Sequence, residues 1–517
     1  MVIIENRTMK QLHLLLIMGL ILMAGCQKDN ITTTNDADSG SSDDGSYSDT
    51  EFDRTITIVY SSDGVSVSGE GDSQELNISS AGATITNTGS EKVQYNVSGS
   101  TSNGFLKIYS DTKQAIVLSS ASITNTSGAA LNIQSNEPSY IVLNGSSTLS
   151  DGSKYSSTPS DEDEKGTLFA EGSLLFSGSG SLTVLAKGKS GIVTDDNLTI
   201  SSGTITINCT ASTFVSNGDT TKVAGMKGKD AFRIIDGTLT VTSSGTGAKG
   251  ICGDGSATFA GGTVDITVTG SNFGSSSGGF GGGPGGGGQS SNDNSVAAKG
   301  IKFDGNINIT GGTLNVSASS HEAIETKSEL TISGGYVFAT SSDDAINSSS
   351  DLTISGGHVM AYSTGNDGID ANGNLYIKGG NLLAISTSGA EVALDANTED
   401  NKQLYITGGN IVAIGGLEQG ASVSGGTAKQ ASSYSKGTWY ALYNGTTVAF
   451  AFKVPSNSNM GAPMVVYTTD SPSLKSGVTG SGTSFWNGYG YTSCSGGSEV
   501  TLSTYSGGNS GGGPGRH

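Results

Sequence analysis

Five aliphatic residues, Ile301, Ile324, Ile346, Ile369 and Leu394, recur at nearly even steps, and the residues beside them are those whose types could do chemistry. Two positions before each stand Lys299, Glu322, Asp344, Asp367 and Val392. One position after stand Lys302, Glu325, Asn347, Asp370 and Asp395, and three positions before stand Ala298, His321, Asp343, Asn366 and Glu391. If successive repeats stack as neighbouring strands about 4.8 Å apart, carboxylates of like charge face one another up the stack. Each such pair costs about 1 kcal/mol in water and about 3.5 kcal/mol at an effective dielectric of about 20. A ladder of this kind calls for a cation. Oxygen ligands from Asp, Glu and Asn in irregular spacing suit Ca²⁺, which takes roughly 6–8 oxygens in a flexible geometry. With 4 His in the chain and the cysteines elsewhere, zinc fits less well. The competing expectation is a solvated row of turn residues in which Lys299 and Lys302 pair with Glu322 and Glu325 one repeat on.

Positioning such columns requires a repeat, and the chain has one. Gly-Gly pairs followed by alternating apolar residues recur at Gly311-Gly312, Gly334-Gly335, Gly356-Gly357, Gly379-Gly380 and Gly408-Gly409, at steps of 23, 22, 23 and 29 residues. Each repeat carries three apolar clusters. One is Leu330/Ile332 with its successors Leu352/Ile354, Leu375/Ile377 and Leu404/Ile406; the next is Val337/Ala339, Val359/Ala361, Leu382/Ala384 and Ile411/Ala413; the third is the single aliphatic column. Alternation with period 2 puts each cluster on one face of a short strand. Three strands per repeat predict an all-β fold, a right-handed parallel β-helix whose turns bury like on like and need protected ends. The period is too short for propeller blades of about 40 residues. Outside the core-facing positions, Tyr336, Phe338, Met360, Tyr362, Leu383, Ile385, Val412 and Ile414 form an outward apolar strip that needs a cover. Tyr376 and Tyr405 point outward on the adjoining strand, where they form a smaller candidate platform for sugar rings.

The remaining segments are read from composition. Leu12 to Met23 is apolar, follows Lys10 and precedes Ala24-Gly25-Cys26, the order of a signal peptide ending in a lipidated cysteine. A run of this length is short of the roughly 20 residues of a membrane span. The boundaries expected are a signal peptide at 1–25, a lipidated disordered tether at 26–54, the parallel β-helix at 55–430, an antiparallel β cap at 431–505 and a disordered tail at 506–517. A Gly-rich insertion interrupts the repeats at 270–296; with no Lys-Ser/Thr and no helix after it, it is not a phosphate-binding loop. The cap is expected from Trp439 to Tyr443, Val448 to Phe452 and Val465 to Tyr467, which alternate between turn residues. The 80 Gly against 7 Pro favour strands and turns over helix. A net charge of −20 argues against nucleic acid as a partner. Beyond Cys26, the odd set Cys209, Cys252 and Cys494 implies no disulfide framework.

The run Asp161 to Phe169, continuing through Glu171-Gly172 to Ser177–Val184, together with Lys107-Ile108-Tyr109-Ser110, Asn125 to Gln134 and the Lys-Gly-Ile repeats at Lys249 and Lys299, resembles the calcium-binding β-helix proteins that carry a bacterial carbohydrate-binding domain. The resemblance spans roughly residues 55–480. It implies a fold related to that of pectate lyases and binding of plant cell-wall polysaccharide, including acidic chains. It carries a metal role onto Asp343 and Asp344 with Asn347, and onto Asp367 with Asp370, while Asn347 and Val392 interrupt the acidic columns. Three functions compete at this point. One is a surface lipoprotein of the outer membrane, anchored at Cys26, that binds polysaccharide with Ca²⁺ held among Glu322, Glu325, Asp343, Asp344, Asn347, Asp367, Asp370 and Asp395. The second is a calcium-dependent polysaccharide lyase in which Lys299 or Lys302 abstracts a proton. The third is a structural adhesin or spacer.

Overall fold

The computed structural model describes residues 47–48, 51–79, 82–156, 162–216, 218–274, 295–389, 391–457 and 463–507. The expected signal peptide, the lipidation residue Cys26, most of the tether, the bulk of the Gly-rich insertion and most of the tail lie outside the described residues, as does Asp161. Among the described residues, no helix is long and apolar enough to cross a membrane.

The described chain is all-β, with long parallel sheets of 28 and 13 strands. In the second half each repeat contributes one strand to each of three parallel ladders. Ile307–Ile309, Leu330–Ile332, Leu352–Ile354, Leu375–Ile377 and Leu404–Ile406 pair in register, Leu on Leu and Ile on Ile from the second strand on, with Ile307 on Leu330 at the first step. Thr313–Ala318, Tyr336–Ser341, His358–Ser363, Asn381–Ser386 and Asn410–Ile414 form the second ladder. Ile301–Phe303, Ile324–Thr326, Ile346–Ser348, Ile369–Ala371 and Leu394–Ala396 form the third. The alternating aliphatic residues of all three ladders point into one continuous core and are fully buried. Burial of each such side chain is worth about 1.5–3 kcal/mol, and an in-register stack leaves none of them facing water.

The Gly-Gly pairs are demanded by this stacking. The second glycine of each pair has positive φ, from 73° at Gly312 to 88° at Gly409, a region costly for any residue with a Cβ. The first has no room: a Cβ on Gly334 would lie 2.3 Å from the Thr310 carbonyl oxygen of the preceding repeat.

Antiparallel strands lie at the start of the ladders and at the far end of the second one. At the start, Arg54–Ser61 is flanked by Gly64–Ser68, and Gln74–Ser79 by Gly82–Asn87. These hairpins differ from the expectation of parallel repeats from residue 55. Tyr47 and Phe52, assigned to the tether by composition, pack their rings 6.2 and 6.3 Å from Tyr140. At the other end Met464–Thr468 runs antiparallel to Asn410–Ile414 and blocks its free edge. Trp439–Asn444, Thr447–Lys453, Pro472–Phe485 and Gly490–Glu499 close into a small antiparallel barrel. Its Tyr440, Leu442, Phe450, Phe452 and Leu474, with Phe485 and Trp486, lie on Phe338, Met360, Leu383, Ile385, Val412 and Ile414. The Trp486 indole N–H donates to the His358 carbonyl at 3.0 Å, so the outward strip is a second hydrophobic core.

Candidate functional site

The third ladder carries the columns singled out above. Its pairing places Lys302, Glu325, Asn347, Asp370 and Asp395 side by side in successive repeats. Backbone hydrogen bonds from Gly250 to Lys299, Gly300 to Glu322 and Ala345 to Asp367 align the other column, Lys249, Lys299, Glu322, Asp344 and Asp367. Two consecutive residues between the columns face the core, the aliphatic one and the small one before it (Ala323, Ala345, Ala393, or Gly300, where a Cβ would lie 2.3 Å from Val316), so the residues flanking that pair both project outward. They are nonetheless well shielded: Glu325 is 1 %, Asp344 5 %, Asp367 7 % and Asp395 8 % exposed.

The upper part of the ladder is charge-matched. The Lys299 ammonium lies 3.1 Å from Glu322 and 2.5 Å from Glu325. Lys327 reaches the second oxygen of Glu325. His321 joins Glu322 to Asp343, the latter at 2.9 Å. Burial opposes the charges of Lys299, His321, Glu325 and Asp343, yet their partners outweigh it. Lys299 is raised by Glu322 and Glu325, Glu325 is lowered chiefly by Lys299, and Asp343 is lowered chiefly by His321. His321 is raised to about 9, so it is an imidazolium at neutral pH. One ligand atom from each of His321, Glu322 and Asp343 falls within 4.8 Å of the others. Lys302 does not pair with Glu325, as the solvated-row expectation had it. It turns along its own strand to Asp304, two residues on and on the same face.

The lower part is different. Asn347 donates from one amide nitrogen to Asp344 at 3.2 Å and to Asp370 at 2.8 Å, tying three side chains of two repeats together. Backbone amides of Asp367 and Val392 donate to Asp344 and Asp367 at 3.0 and 2.7 Å. Among the described residues no lysine or arginine pairs with Asp344, Asp367 or Asp395. Burial, followed by the charges of Asp370 and Asp343, pushes Asp344 up to about 8. Burial and Asp344 raise Asp367 well above the carboxylate range. Burial and a hydrogen bond with Glu418 push Asp395 up to about 11. Glu418 extends the column because Leu417 bridges to Leu394 in parallel. The sequence hides it, since the last Gly-Gly step is longer than the others, but an aliphatic residue followed by an acid at 417–418 is the signal.

On the adjoining ladder Tyr376 and Tyr405 pair in register and stack, with ring centroids 5.2 Å apart and planes 9° apart. Lys378 sits 4.8 Å over the Tyr376 ring. The rings thus turn faces towards each other. The acidic run that opened the resemblance serves as a clasp, with Glu162 on Lys107 at 2.7 Å and on Tyr109, Lys165 between Asp163 and Asp195, and Glu164 accepting the Ala129 amide at 2.6 Å.

Comparison with known proteins adds three findings. No curated protein matches the chain. A solved structure described as the polysaccharide lyase-like protein from C. thermocellum, in a gadolinium derivative, is 20% identical. It covers 62% of this chain and 99% of that one with a TM-score of 0.33, a score that carries no argument about either fold or activity. The family model of the carbohydrate-binding domain-containing proteins matches residues 79–345, just over half of the sequence, and the chain belongs to that family.

Proposed function

We propose that this chain is a surface lipoprotein that binds acidic polysaccharide with the help of calcium, and that its ladders wind as a right-handed parallel β-helix under a β cap. Membership of a carbohydrate-binding family supports the ligand class. The observation that carries the calcium reading is the lower ladder, where Asp344, Asp367 and Asp395 are buried beside Asp370 with no lysine or arginine among the described residues paired to the three. Such a set either takes up protons or takes up a cation, and an all-oxygen set of carboxylates plus an amide suits Ca²⁺. Asp344, Asn347, Asp367, Asp370 and Asp395 would hold the ion; when bound it neutralises the ladder and offers positive charge to sugar carboxylates or hydroxyls. Glu322, Glu325 and Asp343 then serve to position Lys299, Lys327 and His321. Tyr376 and Tyr405 would meet sugar through ring edges and hydroxyls.

Calorimetry with calcium, followed by a glycan array with and without chelator, tests this. Calcium heat together with calcium-dependent retention of acidic glycans is the expected result; absence of both sinks the reading. The anchor is tested separately, because Cys26→Ser should move the protein from the membrane fraction to the soluble one.

A further inference from the structure

The columns that end in carboxylates begin in lysines. Lys249 stands one repeat before Lys299, aligned by the Gly250 amide on the Lys299 carbonyl at 3.0 Å. Lys222, Lys299 and Lys302 are all close enough to repel it. Its neighbours have counter-ions: Lys299 has Glu322 and Glu325, Lys302 has Asp304, and Lys227 has Asp254 at 3.3 Å. Lys249 does not. Its backbone is fully engaged, but among the described residues its ammonium has no hydrogen bond or ion pair, and only 8 % of the residue reaches solvent. Cys252, on the same strand, would attract it as a thiolate, but burial raises that thiol and keeps it neutral.

An amine this shielded, open to solvent only through a small gap and without a side-chain partner among the described residues, gains from an anion that completes it. We propose that Lys249, with Lys222, Lys299 and Lys302 around it, seats one carboxylate of the bound acidic polysaccharide. This rests on the polysaccharide reading above and adds a second contact point to it. Lys249 lies three repeats from Asp344 in one column, a span of about 14 Å at the strand spacing of a sheet. A chain with carboxylates on successive sugars can meet the ammonium at one end and the cation-binding carboxylates at the other, which a single sugar cannot. Burial also pulls the Lys249 amine below its ordinary value, as expected for a site completed by its ligand.

The test is calorimetric titration of the full chain, calcium present, with an oligogalacturonate and with its methyl ester, for wild type and Lys249→Met. The acidic oligomer should bind wild type and bind the variant about tenfold or more weakly, while calcium binding and any ester binding stay unchanged. A variant that binds the acidic oligomer as tightly as wild type overturns the role of Lys249 and leaves the polysaccharide reading standing. A wild type that ignores the acidic oligomer overturns both. If Lys249→Met fails to fold, wild type labelled by reductive ¹³C-methylation decides: the Lys249 signal must shift and be protected on adding the oligomer, and an unmoved signal overturns the proposal.

Discussion

One outward ladder is built two ways within five repeats. From Lys299 to Asp343 each buried carboxylate has a cation in contact, whereas among the described residues no lysine or arginine pairs with Asp344, Asp367 or Asp395, and the amide of Asn347 lies between Asp344 and Asp370. Burial is similar in both halves, so desolvation does not separate them. The difference lies in the neighbour one repeat away. The same position holds Lys, Glu, Asn or Asp in successive repeats, and that choice decides whether a buried charge is satisfied within the protein or from outside it.

The comparison is broken most severely by Lys299→Met, which leaves Glu322 to His321 alone and Glu325 to Lys327 alone in a shielded setting. A loss of about 3–5 kcal/mol is expected, read as a drop in the urea midpoint at neutral pH; a midpoint that stays put would mean the pairing does not hold this half together. Next comes calcium removal. With free ion at about a hundred times its dissociation constant, binding to the folded state alone contributes about 2.7 kcal/mol. Chelator should therefore lower Tm in wild type and leave the double variant Asp344→Asn, Asp367→Asn unaffected. In chelator the sign reverses: that double variant should be more stable than wild type by about 1–3 kcal/mol, since it removes like charges rather than partners. Loss of charge would then destabilise one half of the ladder and stabilise the other.

A pH series sharpens the contrast. Without calcium, Asp344 is raised to about 8 in the fold against about 3.9 in the unfolded chain. Between those values the folded state holds the proton that the unfolded state has released, so stability falls as pH rises from about 4 to about 8. Saturating calcium should flatten that slope, and a chelated protein with no slope over this interval refutes the assignment. His321, raised to about 9 from about 6.5, contributes fully below the lower value and loses its contribution as pH climbs through the upper one. His321→Gln should give the smallest effect, a loss of about 1 kcal/mol at pH near 6 that vanishes in alkaline buffer.

Much of this was legible from residue order. The five-residue aliphatic column, the Leu/Ile pairs and the Gly-Gly turns stack in register as their spacing predicts, because a period of 2 within strands and an even step between them leave few alternatives. Partners along a strand were not legible. Reading only up the columns assigned Lys302 to Glu325, whereas Asp304, two residues along on the same face, lies nearer; Lys327 finds Glu325 in the same manner. Glu418 escaped because the repeat preceding it is longer, and the antiparallel hairpins at the start escaped because their strands alternate just as the parallel ones do.

By itself the sequence determined which residues face inward, where each turn must be glycine and which side chains share a column, since alternation and steric exclusion act over a few residues or between like positions of neighbouring repeats. Only the tertiary structure decided how deeply the acidic ladder is shielded, which carboxylates have a cation in reach, that the apolar strip meets the C-terminal barrel and that the Lys249 ammonium has no partner among the described residues. Those outcomes depend on where long side chains end and on contacts between segments more than a hundred residues apart, such as Trp486 on His358.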